Sequence, residues 1–113
     1  MNLFIPPLGT TITLIEPWKF KLYGEYRNSS MFDYLKLKYP HHDWIQNRYR
    51  PQSIDVELPV GTNLKFDRIY IRKGQKGFDS VTFFLITNEK NQTKGRKRFW
   101  VKLEDVNKIV CRL

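Results

Sequence analysis

Lysine and arginine side chains interleaved with aromatic rings are the feature of this sequence with the clearest chemical consequence. They form three clusters, one in residues 90–102, one at a predicted turn near residue 74 and one just before residue 51. Cationic side chains pair with phosphates, and exposed rings offer faces on which bases stack. The predicted binding residues are Arg48, Tyr49, Arg50, Arg72, Lys73, Lys76, Lys90, Lys94, Arg96, Lys97, Arg98, Trp100 and Lys102.

The net charge of the chain points to the same kind of partner. Lys and Arg number 20 against 11 Asp and Glu, which gives a formal charge of +9. A fold tolerates this repulsive surplus more easily when an anionic partner neutralises it. Nucleic acid, an acidic protein and anionic lipid all qualify, and basic proteins without a specific partner also occur.

Residues suited to metal or nucleophilic chemistry do not form a recognisable catalytic centre. His41, His42 and Asp43 carry metal-ligand chemistry, but adjacent histidines on an irregular segment point apart, and zinc sites need three or four protein ligands. The serines lack a glycine-flanked nucleophile elbow. The stretch 74–77 lacks the spacing of a phosphate loop and is better explained as a hairpin turn. We predict no cofactor and no metal.

Paired carboxylates are the remaining route to catalysis. The acidic residues are scattered, and Asp67 and Asp79 flank a predicted hairpin that also carries Arg68 and Arg72. Ion pairs within or across strands explain such residues more simply than a hydrolase site does. A small metal-dependent nuclease is therefore the third hypothesis, and the leading expectation is that the protein is not an enzyme.

These residues must be positioned by a single domain spanning 1–113. A hydrophobic content of 41% with 15% aromatic residues is sufficient for one packed core. Cys111 is alone, so no intramolecular disulfide forms, and we expect an inert buried thiol. The first residues resemble no secretory signal and no stretch approaches a membrane span, so we expect a cytoplasmic protein without a membrane partner.

The first half of the chain predicts two strands, a short helix and a long loop. Residues 10–16 and 18–25 alternate, and Trp18, Phe20 and Leu22 form the buried side of the second strand. Residues 28–30 predict a turn and helix N-cap before an amphipathic helix over 30–39. Residues 40–53 show no clean period and predict a loop.

The second half, 54–113, predicts a β module. Its strands are expected at 54–58, 64–72, 78–87, 98–103 and 108–112. In the second of these strands, the inward-facing residues change from the even-numbered Leu64 and Phe66 to the odd-numbered Ile69 and Ile71. This change of parity requires a bulge or bend near 67–68. In the strand at 98–103, Phe99, Val101 and Leu103 fit the core.

Trp100 and Lys102 then lie on the face of this strand that points away from the core. Trp100 is the aromatic most expected to be exposed, although packing beneath the loop or the helix would bury it. Tyr70 is out of phase with Ile69 and Ile71, so the same two alternatives apply to it: an exposed ring, or a ring packed beneath the loop or the helix.

The order of a glycine turn at Gly61, three consecutive antiparallel strands, a short turn at 104–107 and a terminal strand resembles SH3-like small barrels. The resemblance covers about 60 residues and implies an α+β, mainly β fold built as a small curled antiparallel barrel. The acidic and aromatic loop residues of peptide-binding SH3 domains are not evident, so binding of proline-rich peptides is not implied.

The stretches 67–74, 78–83 and 98–103 are similar to small accessory proteins of bacteriophage genomes. This resemblance implies no biochemical function. It implies a host-cytoplasmic protein whose partner is nucleic acid or a host machine.

Two binding hypotheses follow. The leading one is a non-catalytic module that binds nucleic acid through phosphate contacts and aromatic stacking, without predicted sequence specificity and with the choice of DNA or RNA open. The alternative is a protein-interaction or inhibitor module that docks on an acidic host protein and anchors with Trp44, Tyr49 or Trp100, since aromatic residues often dominate interface energetics.

The leading hypothesis predicts binding that weakens steeply as salt rises. Reversing the charges of Lys94, Arg96 and Lys97 should weaken binding to all nucleic-acid sequences alike, because phosphate contacts carry no sequence information. Fluorescence polarisation with labelled oligonucleotides across a salt series measures both effects. Binding that does not respond to salt would contradict the hypothesis.

Overall fold

Antiparallel strands dominate the structure, as the alternating patterns predict, and the helical content is small. The computed structural model describes residues 6–38, 43–45, 48–50, 52–71, 79–87 and 97–113, with the backbone alone described for 43–45 and 48–50. The strands are β1 (Thr11–Leu14), β2 (Trp18–Tyr23), β3 (Asp43–Ile45), β4 (Arg48–Arg50), β5 (Ser53–Leu58), β6 (Asn63–Tyr70), β7 (Ser80–Ile86), β8 (Lys97–Lys102) and β9 (Cys111–Arg112). The helices are α1 (Ser29–Tyr34), preceded by a 3₁₀ turn (Tyr26–Asn28), and α2 (Leu103–Val106).

The main sheet has five strands in the order β8-β7-β6-β1-β9. β1 therefore lies between β6 and β9, and β2 pairs with β5 in a separate two-stranded sheet. The segment 54–113 does not build its sheets alone, because both N-terminal strands pair with it. Among the described residues the main sheet stays open at β8 and β9, so its hydrogen bonds do not close the curled barrel that the sequence predicted.

An aromatic cluster fills the core between the two sheets. Trp18, Phe20 and Leu22 are buried on β2, which confirms the predicted register. The ring of Trp18 lies 4.3 Å from that of Phe20 and 5.6 Å from that of Phe83 on β7. Such close, inclined ring contacts bury large apolar areas and hold the β2–β5 pair against the main sheet.

Asp105 on α2 fastens this helix to β2. Its side chain is almost fully buried and accepts hydrogen bonds from the backbone N–H of Lys21 at 2.9 Å and from the Lys108 ammonium at 3.0 Å. The Trp18 indole N–H donates to the Asp105 carbonyl at 2.9 Å. This carboxylate has a structural role, because every contact described for it joins parts of the fold.

A tight turn at Gly61 connects β5 to β6, as predicted. The Thr62 N–H donates to the Pro59 carbonyl, and Gly61 has a φ of +89°. A positive φ at the third turn position is typical of a type II turn and favours glycine there. The Gly61 N–H also donates to the Leu14 carbonyl at 2.8 Å, which ties the turn to β1.

The predicted bulge in β6 is confirmed. The pairing of β6 with β7 shifts between Phe66 and Arg68, so that Asp67 is the extra residue. Past the bulge, Ile69 packs against the core, whereas Ile71 is 66% exposed. The inward placement of Ile71 was wrong because β6 ends at Tyr70 and the alternation ends with it.

The helix predicted over 30–39 is shorter than its apolar spacing suggested. α1 ends at Tyr34, and Lys36 adopts a φ of 55°. The N–H groups of Lys36 and Leu37 donate to the carbonyls of Asp33 and Phe32 in a Schellman arrangement. Glycine is the usual residue at this position, so its absence hid the helix end from sequence reasoning.

Part of the predicted loop at 40–53 is a hairpin instead. β3 and β4 pair antiparallel, with Asp43 opposite Arg50 and Trp44 opposite Tyr49. None of the described helices is both long and apolar enough to cross a membrane.

We expect Lys36→Gly to stabilise the fold by about 0.5 to 1 kcal/mol, because glycine adopts a positive φ without the steric cost that a β-carbon imposes. Urea unfolding followed by circular dichroism measures the change. Lys38→Gly is the matched control, since Lys38 has no positive φ, and it should give no gain. Equal responses of the two variants would contradict this account of the helix end.

Candidate nucleic-acid interface

The three-stranded part of the main sheet formed by β6, β7 and β8 has one side toward the core and one away from it. Val81 and Phe83 on β7 and Phe99 and Val101 on β8 face the core and are fully buried. Strand alternation and the β6 bulge therefore place the intervening side chains on the opposite side. We name this side the outer face, and its residues are Lys65, Arg68, Tyr70, Ser80, Thr82, Phe84, Arg98, Trp100 and Lys102.

The strand register arranges the outer face in three rows. Each β7 side chain lies between one from β6 and one from β8, in the rows Lys65–Phe84–Arg98, Arg68–Thr82–Trp100 and Tyr70–Ser80–Lys102. Neighbouring strands are about 4.8 Å apart, so a row spans about 10 Å. Cations and aromatic rings thus alternate over a small area.

The outer face has a surplus of positive charge. None of its nine side chains is acidic, and two described carboxylates lie beside it, Asp67 at the bulge and Glu25, which binds the Arg27 guanidinium over the Trp100 ring. The Asp67 carboxylate lies 3.3 Å from the Arg98 guanidinium and 3.9 Å from that of Arg68, whose side chain is 71% exposed. Because exposed ion pairs contribute little free energy, a phosphate can compete with Asp67 for these arginines. The ion-pairing role predicted for Asp67 is confirmed.

The β2–β5 pair is different, because its outward charges are balanced. Lys19 lies opposite Glu57 and Lys21 lies opposite Asp55 in the strand register, and all four residues are exposed. Opposite charges directly across two strands attract each other and cancel at a distance. The positive surplus of the described residues is therefore unevenly distributed and is marked on the outer face.

Trp100 is not the exposed ring that the sequence favoured. It is half-buried, and its ring stacks on Tyr23 with centroids 5.2 Å apart and planes inclined by 10°. The Arg27 guanidinium lies 5.6 Å from the Trp100 ring, and the Lys102 ammonium lies 4.9 Å from the Tyr23 ring. The Trp100 ring is therefore packed and not exposed, and its principal neighbour is Tyr23 on β2 and not the loop or the helix that the sequence suggested.

Asn28 holds this stack in place. It is fully buried, its amide Nδ2 donates to the Tyr23 carbonyl at 3.0 Å, and its Oδ1 accepts from the backbone N–H of Trp100 at 2.8 Å. Asn28 occupies the N-cap position of α1, within the predicted segment 28–30, but its side chain makes no capping bond to the helix. It instead satisfies a backbone donor on β8, the edge strand of the main sheet.

Arg27 brings a further positive charge to this corner of the outer face. Its Nε and Nη2 both donate to the Glu25 carboxylate, and this hydrogen bonding is the main cause that raises the pKa of Arg27. Smaller electrostatic contributions from Tyr26 and Tyr70 act in the same direction, which places Arg27 near Tyr70. The guanidinium side chain remains 60% exposed and charged.

The predicted binding residues do not all reach the same surface. Arg98, Trp100 and Lys102 lie on the outer face. Lys97 is on the same side of β8 as Phe99, and its ammonium lies 5.1 Å from the ring of Tyr34 on α1. Arg48, Tyr49 and Arg50 form β4, with only their backbone described. The remaining predicted residues lie outside the described residues: Arg72, Lys73, Lys76, Lys90, Lys94 and Arg96.

Sequence reasoning missed Lys65 and Arg68 as members of the candidate interface. Their signal was the β6 bulge, because one extra residue places Lys65 before it and Arg68 after it on the same face. From the sequence, Arg68 was considered only for ion pairing with its acidic neighbours, and no role was assigned to Lys65.

The groups suited to catalysis have other surroundings. Within the described ranges, no cluster of three or more His, Cys, Asp or Glu is arranged to hold a metal ion. Cys111 is only partly buried, in contrast to the fully buried thiol expected, and burial raises its pKa. A raised pKa lowers the thiolate fraction at neutral pH and makes the thiol a poorer nucleophile.

Comparison with known proteins gives no match: no family model matches the sequence, and no curated protein or solved structure is significantly similar to it. The role of the outer face must therefore be argued from its own geometry and charge.

We expect Asn28→Ala to lower the free energy of unfolding by about 2 to 4 kcal/mol, because the partly buried Trp100 N–H and Tyr23 carbonyl each lose their partner. Urea unfolding measures this loss, and amide hydrogen exchange should show faster exchange at Trp100. Ser29→Ala, which removes an exposed hydrogen bond to the Tyr26 carbonyl, is the control and should cost less than about 1 kcal/mol. A loss of the same size in both variants would contradict the role assigned to Asn28.

Proposed function

We propose that this protein is a non-catalytic module that binds nucleic acid through the outer face. The observation that carries the proposal is the placement of Lys65, Arg68, Arg98 and Lys102 around a sheet surface that holds no acidic side chain. The balanced charges of the β2–β5 pair make this surplus local. Local positive charge of this kind attracts a polyanion and releases its counterions on binding.

The spacing of the cations suits a phosphate backbone. Alternate residues along a strand are about 7 Å apart, and long Lys and Arg side chains adjust over that distance. Three or four such contacts on a single strand give a slope of about −2 to −3 for log affinity against log salt. This moderate slope distinguishes a small phosphate-binding face from nonspecific condensation of the whole basic chain.

Docking on an acidic protein is less well supported. That alternative used Trp100 as one of its anchors, but Trp100 is stacked on Tyr23 and its backbone is held by Asn28. Insertion of the indole into a partner's pocket would require that stack to break. A phosphate backbone makes no such demand, because Lys65 and Arg68 are exposed and Arg98 is engaged in a surface ion pair with Asp67.

We further propose an SH3-like architecture for the chain, located in the cytoplasm. The strand order β8-β7-β6-β1-β9, the turn of helix α2 between β8 and β9, and the β2–β5 pair inserted between β1 and β6 support the architecture. Such a fold has no activity of its own and serves as a frame for a surface site. The functional proposal therefore depends on the outer face and not on the fold.

The decisive experiment compares two double variants with the same net charge. Lys65→Gln/Arg68→Gln and Lys19→Gln/Lys21→Gln each remove two positive charges from +9 and leave +7. We expect the outer-face variant to lose about tenfold or more in affinity for labelled oligonucleotides, with the salt slope reduced by about 1.4 for a single strand. The β2–β5 variant should change affinity by less than about threefold, because Lys19 and Lys21 lie opposite acidic residues on the β2–β5 pair and not on the outer face, and salt screens exposed charges.

Fluorescence polarisation of nuclease-cleared protein over a salt series gives both quantities, and circular dichroism verifies that both variants fold. Equal losses in the two variants would mean that net charge alone drives binding and would overturn the proposal. Absence of binding near physiological salt would also overturn it and direct the search to an acidic protein partner.

A further inference from the structure

One edge of β5 is unpaired in the part of the chain that the structure describes. β5 pairs with β2 on one side, and no other described strand pairs with it. The Lys21 N–H on β2 donates to the Asp105 carboxylate and therefore points away from β5. In an antiparallel pair, two opposite residues turn their backbone groups either toward each other or both away. The N–H and carbonyl groups of Asp55, opposite Lys21, and of Glu57 two residues later therefore point out from the open edge.

These backbone groups are available for a further strand. Among the described residues, no hydrogen bond uses the N–H of Asp55 or of Glu57, and both residues are exposed. An unpaired strand edge is a template for pairing with another chain, and proteins often interrupt such an edge with a bulge. β5 instead keeps six residues in regular register with β2. Its open edge therefore has the backbone geometry that strand addition requires.

A mostly apolar groove of about 620 Å³ begins where this edge ends. Its lining includes Leu58, the last residue of β5, together with Leu35 and Leu85, which pack against the core. It also includes large apolar residues that are at least 38% exposed, namely Tyr34, Val60 and Ile86. Exposed apolar side chains that gather at one place are typical of an interaction site.

A strand added to β5 would meet both the groove and the acidic side chains. Residues directly opposite each other in an antiparallel pair lie on the same face of the sheet. Leu58 is buried and lines the groove, so a partner residue opposite it lies at the groove. Glu57 is exposed, so the next residue of the partner lies beside its carboxylate on the other face. Alternate residues of the partner thus meet apolar and acidic surroundings.

The carboxylates of β5 disfavour a second copy of the chain as the partner. Neither Asp55 nor Glu57 forms an ion pair among the described residues, although lysines lie opposite them on β2. If β5 paired with β5 of another copy around residue 55, Asp55 would face Asp55. If it paired around residue 56, Asp55 would face Glu57. Like charges directly opposite each other are destabilising, whereas Lys or Arg at these positions would be attracted.

We infer that the open edge of β5 binds an extended basic peptide of another protein as an added antiparallel strand. Basic residues of the peptide lie opposite Asp55 and Glu57, and they alternate with apolar residues, one of which lies opposite Leu58 at the groove. The outward charges of the β2–β5 pair are balanced, so the peptide does not meet the positive surplus of the outer face. This inference goes beyond the proposed function and does not rest on it.

The test uses three labelled peptides of the same charge. The probe has the core Leu-Lys-Val-Lys-Val, which places its leucine opposite Leu58 and its lysines opposite Glu57 and Asp55. The second peptide carries a methyl group on the backbone nitrogen of both lysines, which removes the N–H groups that would donate to β5. The third, Leu-Val-Val-Lys-Lys, has the same composition without the alternation. Fluorescence polarisation gives the affinity of each.

Two protein variants with the same net charge test the acidic side chains. Asp55→Asn/Glu57→Gln and Glu16→Gln/Glu104→Gln each remove two negative charges from exposed residues and change +9 to +11. Circular dichroism verifies that both variants fold. Amide hydrogen exchange of the unmodified protein, with and without the probe, locates the bound strand.

We expect the probe to bind about tenfold or more tightly than the methylated peptide, because strand addition needs both backbone hydrogen bonds. It should bind about fivefold or more tightly than the reordered peptide. Asp55→Asn/Glu57→Gln should weaken binding of the probe about fivefold, whereas the control variant and Lys65→Gln/Arg68→Gln should bind it within about twofold. The probe should slow exchange at the N–H groups of Asp55 and Glu57.

Equal affinity for the three peptides, or equal losses in the two charge-matched variants, would mean that general charge attraction explains binding and would overturn the inference. Absence of probe binding would overturn it as well. Protection of the Asp55 and Glu57 N–H groups that rises with protein concentration without peptide would identify a second copy as the occupant and would also contradict the inference. None of these results bears on nucleic-acid binding by the outer face.

Discussion

One extra residue in β6 determines both the core and the outer face. Asp67 occupies the bulge, so Leu64 and Phe66 before it and Ile69 after it all point inward although their spacing changes parity. If β6 alternated regularly through Asp67 with no bulge, Arg68 and Tyr70 would turn toward the core in place of Ile69, and burying a guanidinium there is energetically costly. The bulge also places the Asp67 carboxylate next to two arginines of the face it creates.

The edge strand β8 depends on a second constraint, which comes from the other end of the chain. Asn28 joins the end of β2 to β8 by two hydrogen bonds, and the stacked rings of Tyr23 and Trp100 cover the same junction. An unpaired backbone N–H on an edge strand invites pairing with another chain, and Asn28 removes one such donor. Contacts with Tyr23 also hold Trp100 and Lys102 in place on the outer face.

The distribution of charge links this architecture to its proposed role. Facing acidic and basic residues balance the β2–β5 pair, whereas the outer face has cations in each row and two acidic neighbours, Asp67 at the bulge and Glu25 bound to Arg27. A net charge of +9 by itself would describe solubility and general attraction to anions. The positive charge is concentrated on the outer face, beside exposed and half-buried aromatic rings. This concentration supports the proposal of a defined binding site for a polyanion.

The sequence by itself determined which side of most strands is apolar, because alternation is a local property of the chain. It identified the buried side of β2, the bulge at Asp67 and the inward Phe99 and Val101. It did not reveal that Lys36 ends α1, because no glycine marks the positive φ.

Only the tertiary structure decided which strands are neighbours and what covers each outward side chain. Trp100 follows the predicted alternation, and Lys97, which lies before the predicted strand, is the first residue of β8. Tyr23 nevertheless covers the Trp100 ring, and Tyr34 lies beside Lys97. The contact between Asn28 and Trp100 joins residues 72 positions apart. Such pairings depend on how complete elements pack together, and no local pattern of side chains encodes them.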